Sequence, residues 1–299
     1  MLVGHQNQWN FLKRSVALNR ISHAYLFCGQ EHLGKKTLAS QFINLINNQE
    51  IRKDCNPDFI LIEPQNNEIK VSQIRELIWR LSLKPVILLF KSAIINDAHL
   101  MNQEAQTALL KTLEEPKGKT VLVLITEYPG MLFPTILSRV TKIKFYPVKK
   151  KEIKDYLKEN LSFNQRKKEK LSEEILEKSL GRPGVAIDFL LNPKKIDEEE
   201  KMIEELIRLK DSNLAFRFQY IKSLLDKKIN LKEIFDIWLK YFRNVLLSKI
   251  KKDSISASLN NYSFLKLKNI IRLLEKIEFL LSKTRVNQRL ALEILMLEL

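Results

Sequence analysis

Glycine is scarce in this 299-residue chain, at 7 residues, and cysteine scarcer still, at 2. Few glycines leave few places where the backbone turns through positive φ without strain, which argues against a loop-rich or low-complexity protein and for long helices. The two cysteines, Cys28 and Cys55, form no CxxC pair and stand beside no histidine pair. A disulfide framework and a thiolate zinc site are therefore not expected, and no metal is assigned. No stretch approaches the roughly 18 apolar residues of a membrane span. The first residues lack the charged start and apolar run of a secretory leader. The expectation is a soluble protein of a reducing cytoplasm, with no membrane partner. Internal repeats are absent too.

What is present is charge and apolar bulk. Lys plus Arg number 51 against 35 Asp plus Glu, a net charge of +16, while apolar residues make up 45%. The excess of positive charge suits a polyanionic partner such as nucleic acid. The competing reading is compositional bias, because the lysines are spread along the polar faces of apparent helices rather than gathered on one patch.

Through about residue 146 short apolar runs alternate with helical periods, the pattern of βαβ units covering a parallel sheet. Strands are expected at Ala24–Cys28, Asp58–Glu63, Ser92–Asn96, Thr120–Thr126 and Lys142–Phe145, with helices near Lys35–Asn47, Val71–Leu81 and Asn102–Leu113. The last of these should stop before Pro116, since proline restricts its predecessor and cannot continue the ladder. Beyond Pro147 the strand signals cease and amphipathic helices follow, among them Leu231–Ile250 and Phe264–Leu281. Gly181-Arg182-Pro183-Gly184 and Asn192-Pro193 interrupt them. The expected division is an α/β domain over 1–147, a small helical piece over 148–195 and a larger helical domain over 196–299.

The segment Gly29-Gln30-Glu31-His32-Leu33-Gly34-Lys35-Lys36-Thr37 follows an apolar strand and opens a helix, which is the setting of a Walker A phosphate loop. Gly29, Gly34 and Lys35 are in place. The position whose hydroxyl should meet Mg²⁺ holds Lys36, and Thr37 is turned about 100° away along the helix. The Walker B position, an apolar strand ending in acids, reads Ile94-Ile95-Asn96-Asp97. Asn96 offers an amide oxygen but no charge to a divalent ion, and Asp97 is one methylene shorter than the glutamate that would orient a water. Both sets of changes fall on the metal and water positions.

His23-Ala24-Tyr25-Leu26-Phe27, Leu83-Lys84-Pro85, Asp97-Ala98-His99-Leu100-Met101-Asn102, Ala108-Leu109-Leu110-Lys111-Thr112-Leu113-Glu114-Glu115-Pro116 and Ser138-Arg139 together resemble the AAA+ clamp-loader subunits of bacterial DNA polymerase III, the delta-prime type above all. The resemblance covers residues 3 to about 146, and weakly the segment around Gly181. It implies a RecA-like AAA+ domain, a small helical lid and a C-terminal helical collar joining five subunits in a ring. It also implies the task of loading the sliding clamp on primer-template DNA. Arg139 matches the arginine that such subunits reach into a neighbour's ATP site, although Val140 replaces the family's cysteine. Gly184 stands where the lid sensor arginine is expected, with Arg182 displaced by two residues. Thr126 fits the polar first sensor at its strand end. Of the four zinc cysteines many relatives carry, only Cys55 remains.

Three functions follow. The first is a delta-prime-like subunit that does not hydrolyse ATP by itself but works within the DNA polymerase III holoenzyme, with Arg139 acting in trans. Gamma or tau ATPase subunits and the delta subunit would be its partners, and the clamp and DNA would be reached through the complex. No cofactor is then required, and residual ATP or ADP binding without magnesium stays open. The second is a working gamma- or tau-like ATPase, which Lys36, Asn96 and Gly184 oppose. The third is a basic helical DNA-binding protein whose glycine loop is incidental, which would show salt-dependent DNA affinity by the lone chain.

Overall fold

The alternating segments build a five-stranded parallel sheet. The computed structural model describes residues 2–50, 56–160, 165–210, 212–226, 231–251, 262–283 and 287–299. The order along the chain begins α1 (Gln6–Ala17), β1 (Ala24–Cys28), α2 (Lys35–Asn47), β2 (Phe59–Ile62), α3 (Val71–Ser82), β3 (Lys91–Ile95), α4 (Gln103–Glu114), β4 (Thr120–Thr126), α5 (Pro134–Leu137) and β5 (Thr141–Lys144). In the sheet the strands lie in the order β2-β3-β4-β1-β5, every neighbouring pair parallel. Parallel strands need crossovers, and helices supply them, so both faces are covered.

Strand alternation sorts the core into two layers. Ala24, Leu26, Ala93, Ile95, Leu122 and Leu124 face one side with Ile74 and Leu77 of α3 and Leu109 of α4. Tyr25, Phe27, Ile94, Val121 and Val123 face the other, with Leu12 of α1 and Leu38 and Phe42 of α2. The expected β1, β4 and α2 have the observed bounds, and the other elements expected through residue 146 differ by a residue at one or both ends. Two of those shifts have clear causes. Asn102 caps α4 rather than opening it, its side chain accepting from the Ala105 N–H at 2.9 Å. Asp58 precedes β2 because its carboxylate is used elsewhere: Oδ2 accepts from the N–H groups of Val86, Ile87 and Leu88 at 2.8, 2.6 and 2.9 Å. Helix α1, which the sequence reading passed over, packs beside α2.

The chain divides into two compact units, 1–192 and 193–299. The first also holds α6 (Lys150–Asn160), α7 (Gln165–Ser179) and α8 (Pro183–Leu191). All but the last three residues, 193–195, of the segment 148–195 thus lie in it. The second unit is helical throughout its described residues: α9 (Lys194–Lys210), α10 (Leu214–Asp226), α11 (Leu231–Lys251), α12 (Phe264–Lys283) and α13 (Gln288–Glu298). Trp238, Phe235 and Phe242 of α11, Leu267 and Leu274 of α12, and Leu292 and Leu295 of α13 form its core. This is the α/β plus all-α architecture expected. Among the described residues, no helix is long and apolar enough to cross a membrane.

Candidate functional site

Ligands of open parallel sheets sit beyond the carboxyl ends of the strands, and there the chain gathers most of its candidate residues. Gly29 ends β1. Its N–H donates to the Thr126 carbonyl at 3.2 Å, and a Cβ there would come within 2.5 Å of the Phe145 carbonyl oxygen, so only glycine lets β1 and β5 close together at this edge. Gly34, at φ 84°, sits just before α2. The buried Lys35 amine donates to the Gly29 carbonyl at 2.6 Å and to the Gln30 carbonyl, so its charge lies inside the loop. Thr37 is exposed.

Lys36 does not leave a bare charge in the loop: its amine meets the Glu63 carboxylate at 2.5 Å, just past the end of β2. The partner lies 27 residues away in the chain, so the charge that Lys36 brings to the loop is balanced by a residue with no local sequence signal. At the end of β3 the Asn96 amide donates to the Asp97 carboxylate at 3.0 Å, and Asp97 takes up φ 48° at the start of a short turn over Ala98–Leu100. These two positions thus carry an ammonium paired with Glu63 and an amide bonded to Asp97, neither of them the anionic oxygen donor that a magnesium ion takes. Among the described residues, no group of three or more His, Cys, Asp or Glu side chains is placed to hold a metal. Cys55 lies outside the described residues.

Thr126, at the end of β4, is fully buried and already engaged. Its hydroxyl accepts from the Tyr128 N–H at 3.1 Å and lies 3.2 Å from His99 Nδ1, whose ring packs edge-on against Tyr128. Burial raises the pKa of the Cys28 thiol on β1, in keeping with a packed core residue. At the other side of the loop the N–H of Gly184 in α8 donates to the His32 carbonyl at 2.8 Å. A Cβ on Gly184 would stand 2.9 Å from that oxygen and 3.1 Å from the His32 Cα. A glycine at 184 therefore has a local cause: the first turn of α8 lies directly on the loop backbone. Arg182, the residue before α8, is buried. His5 also reaches the loop, packing its ring 4.8 Å from Phe145; burial lowers its pKa, against the opposite pull of a Leu33 backbone hydrogen bond and Glu152.

Arg139 lies one residue beyond Ser138, which ends α5. Its guanidinium donates to the Thr135 carbonyl at 2.8 Å and the Ser138 hydroxyl at 3.3 Å, and pairs with Glu114 at 2.8 Å. The segment leading to it is anchored by buried Gln106 of α4, which accepts from the Phe133 N–H at 2.8 Å and donates to the Met131 and Met101 carbonyls at 3.3 and 3.2 Å. The sequence reading assigned no part to Gln106, His99, His5, Glu63 or Glu114. Glu114 stands inside the Leu113-Glu114-Glu115-Pro116 run that carried the resemblance, and that was its only signal.

Residues 4–149 match the family described as DNA polymerase III, delta subunit. The delta-prime subunit of DNA polymerase III from Bacillus subtilis is 37% identical over 160 residues, 49% of this chain and 49% of that one. Over about half its length the chain is thus similar to DNA polymerase III subunits of the delta and delta-prime type. The tau subunit of the same organism is 26% identical over 280 residues, 83% of this chain and 50% of the tau chain. The alignments span about half the length of these curated relatives. A solved DNA polymerase III gamma subunit-related protein from Thermotoga maritima aligns with a TM-score of 0.56 at 23% identity, covering 97% of both chains. That likeness gives the fold, a RecA-like AAA+ sheet followed by a helical region.

Proposed function

We propose that this clamp-loader chain is a delta-prime-type subunit that does not hydrolyse ATP and lends Arg139 to the ATP site of a neighbouring subunit. The observation that carries the reading is Lys36. Where a working loop has a hydroxyl for magnesium, this chain has an ammonium held by Glu63 at 2.5 Å. The replaced acid at Asn96 and the glycine at 184 support the same conclusion. Arg139 suits the other role because a guanidinium stays charged and offers a planar fork of donors to a developing phosphoryl charge.

On this reading Gly29, Gly34 and Lys35 are a degenerate phosphate loop, Asn96 and Asp97 a degenerate Walker B end, and Thr126 a first-sensor relic. Residues 148–195 are the lid, and the helices beyond are the collar of a five-membered ring. Gamma or tau ATPase subunits and a delta subunit complete the ring, which loads the sliding clamp on primer-template DNA in the cytoplasm. No cofactor is required by this chain, and any ATP or ADP it retains is bound without magnesium.

A second reading, a working ATPase of the tau kind, is favoured by the tau alignment, which runs over more of the chain than the delta-prime one. Turnover by the isolated chain decides between them. The proposal expects no magnesium-dependent hydrolysis above that of a Lys35→Ala control; hydrolysis abolished by that substitution would establish the second reading.

A further inference from the structure

Arg139 is occupied within its own chain. One terminal nitrogen, Nη1, donates to the Thr135 carbonyl and the Ser138 hydroxyl, and the other, Nη2, meets Glu114 Oε1 at 2.8 Å. Both ends of the fork that would grip a phosphate are thus committed. The two kinds of contact differ. Thr135 and Ser138 belong to the same short turn as Arg139 and move with it, whereas Glu114 is the last residue of α4 and comes from a separate element. Glu114 is also the one charged partner among them, so it is the contact that competes directly with a phosphate for the guanidinium.

We infer that Glu114 is a positioning residue that parks Arg139 against α4 until the neighbouring subunit's nucleotide draws the guanidinium away. The inference rests on the reading of Arg139 given above. The pair is suited to such a task because it is weak: the side chains are 34% and 49% exposed, and ion pairs this accessible hold with small free energies. A carboxylate sealed from water would keep the arginine for itself. A ligand that needs a fractionally populated state binds with its affinity reduced by that fraction. Parking should therefore raise the apparent ATP requirement of the neighbouring site by about two- to fivefold, the range an exposed ion pair supplies. Because bound ATP itself draws the guanidinium away, the parked state is emptied at saturating ATP, and the effect belongs in KM rather than kcat.

The test uses the full chain assembled with its ATPase and delta partners, with steady-state ATP hydrolysis followed as ATP is varied. Glu114→Gln removes the charge, and Glu114→Asp keeps it but shortens the reach by a methylene. Both are expected to lower KM for ATP about two- to fivefold with kcat unchanged, and the shift should vanish when Arg139→Ala is present as well. Unchanged KM in both variants would overturn the inference. A shift that persists beside Arg139→Ala would overturn it too, since Glu114 would then act on something other than the arginine. If Arg139→Ala alone leaves turnover untouched, the fault lies with the reading of Arg139 itself. Urea unfolding of the isolated variants, expected to match the parent, keeps a folding defect from imitating any of these results.

Discussion

Replacing Gly184 by alanine sets two opposed effects against each other, and the structure says which wins. At an open position of a helix, alanine is better than glycine by up to about 1 kcal/mol, because glycine gives up more backbone freedom on folding. Gly184 is not open. A methyl there would sit 2.9 Å from the His32 carbonyl oxygen and 3.1 Å from the His32 Cα and Cβ, and the Gly184 N–H already donates to that oxygen at 2.8 Å. Backbone atoms cannot swing aside as a side-chain tip can, so α8 must lift from the loop. Overpacking of this sort costs about 1–3 kcal/mol. A lifted helix also gives up a hydrogen bond worth about 1 kcal/mol and leaves an amide of its first turn without its partner. The balance is a net loss of about 1–3 kcal/mol. Urea unfolding of the two proteins, compared by midpoint at constant m value, measures it. Gly130→Ala, where an added Cβ meets nothing within 4 Å, is the control and should be nearly neutral. Gly184→Ala equal to or more stable than the parent would refute the seating of α8 on the backbone of His32.

Asp58→Ala should destabilise the chain by about 3–5 kcal/mol, because it strands the Val86, Ile87 and Leu88 amides and leaves the buried Lys91 amine, 3.5 Å from Asp58 Oδ1, without its counter-charge. Burial pushes the Asp58 pKa up, but the three N–H bonds and Lys91 pull it further down, to below its ordinary value. Its contribution is therefore complete above the unfolded pKa of about 3.9 and is lost as pH falls through the lower folded value. Unfolding free energies of parent and variant should stay equally far apart at pH 7 and pH 5 and converge only in strong acid. In the helical unit, Arg217 donates to the Leu209, Lys210 and Met296 carbonyls at 3.0, 2.7 and 2.7 Å and so closes the ends of α9 and α13. Arg217→Ala should cost about 2–4 kcal/mol, with Arg217→Lys recovering little, since an ammonium cannot span three acceptors held by a fork; thermal melts of both variants check this.

The α/β layer was legible because its signals are local. Five short apolar runs, each bounded by polar or turn residues, alternate with helical periods, and both strand alternation and the helix stop at Pro116 follow from neighbours in sequence. Helix α1 was missed because its one fully buried side chain is Leu12, with the apolar Phe11 and the rest of the helix turned partly to solvent. The glycine loop after β1 and the end of β3 fall where the sequence places them, because the strands that lead into them are local signals. What could not be read was the pairing: Lys36 with Glu63, Thr126 with His99, Arg139 with Glu114 and Gly184 with His32 join residues far apart in the chain. The parallel order of the strands, with β1 between β4 and β5 and β3 beside β4, brings Lys36 and Glu63, and Thr126 and His99, to the carboxyl edge of the sheet, while Arg139 and Glu114 meet at the opposite edge, between the end of α4 and the start of β5. Gly184 illustrates the difference best. In the sequence it is a missing arginine, and in the folded chain it is the residue whose lack of a side chain lets a helix rest on the loop.

ATP turnover by the assembled complex, with and without Arg139→Ala in this chain, tests the central claim most directly. An arginine supplied in trans is worth about 10³–10⁵ in rate at the site it serves. The account predicts that the substitution silences the one neighbouring site while the complex still assembles, so that turnover falls by that site's share. Full turnover in an intact complex carrying Arg139→Ala would contradict it.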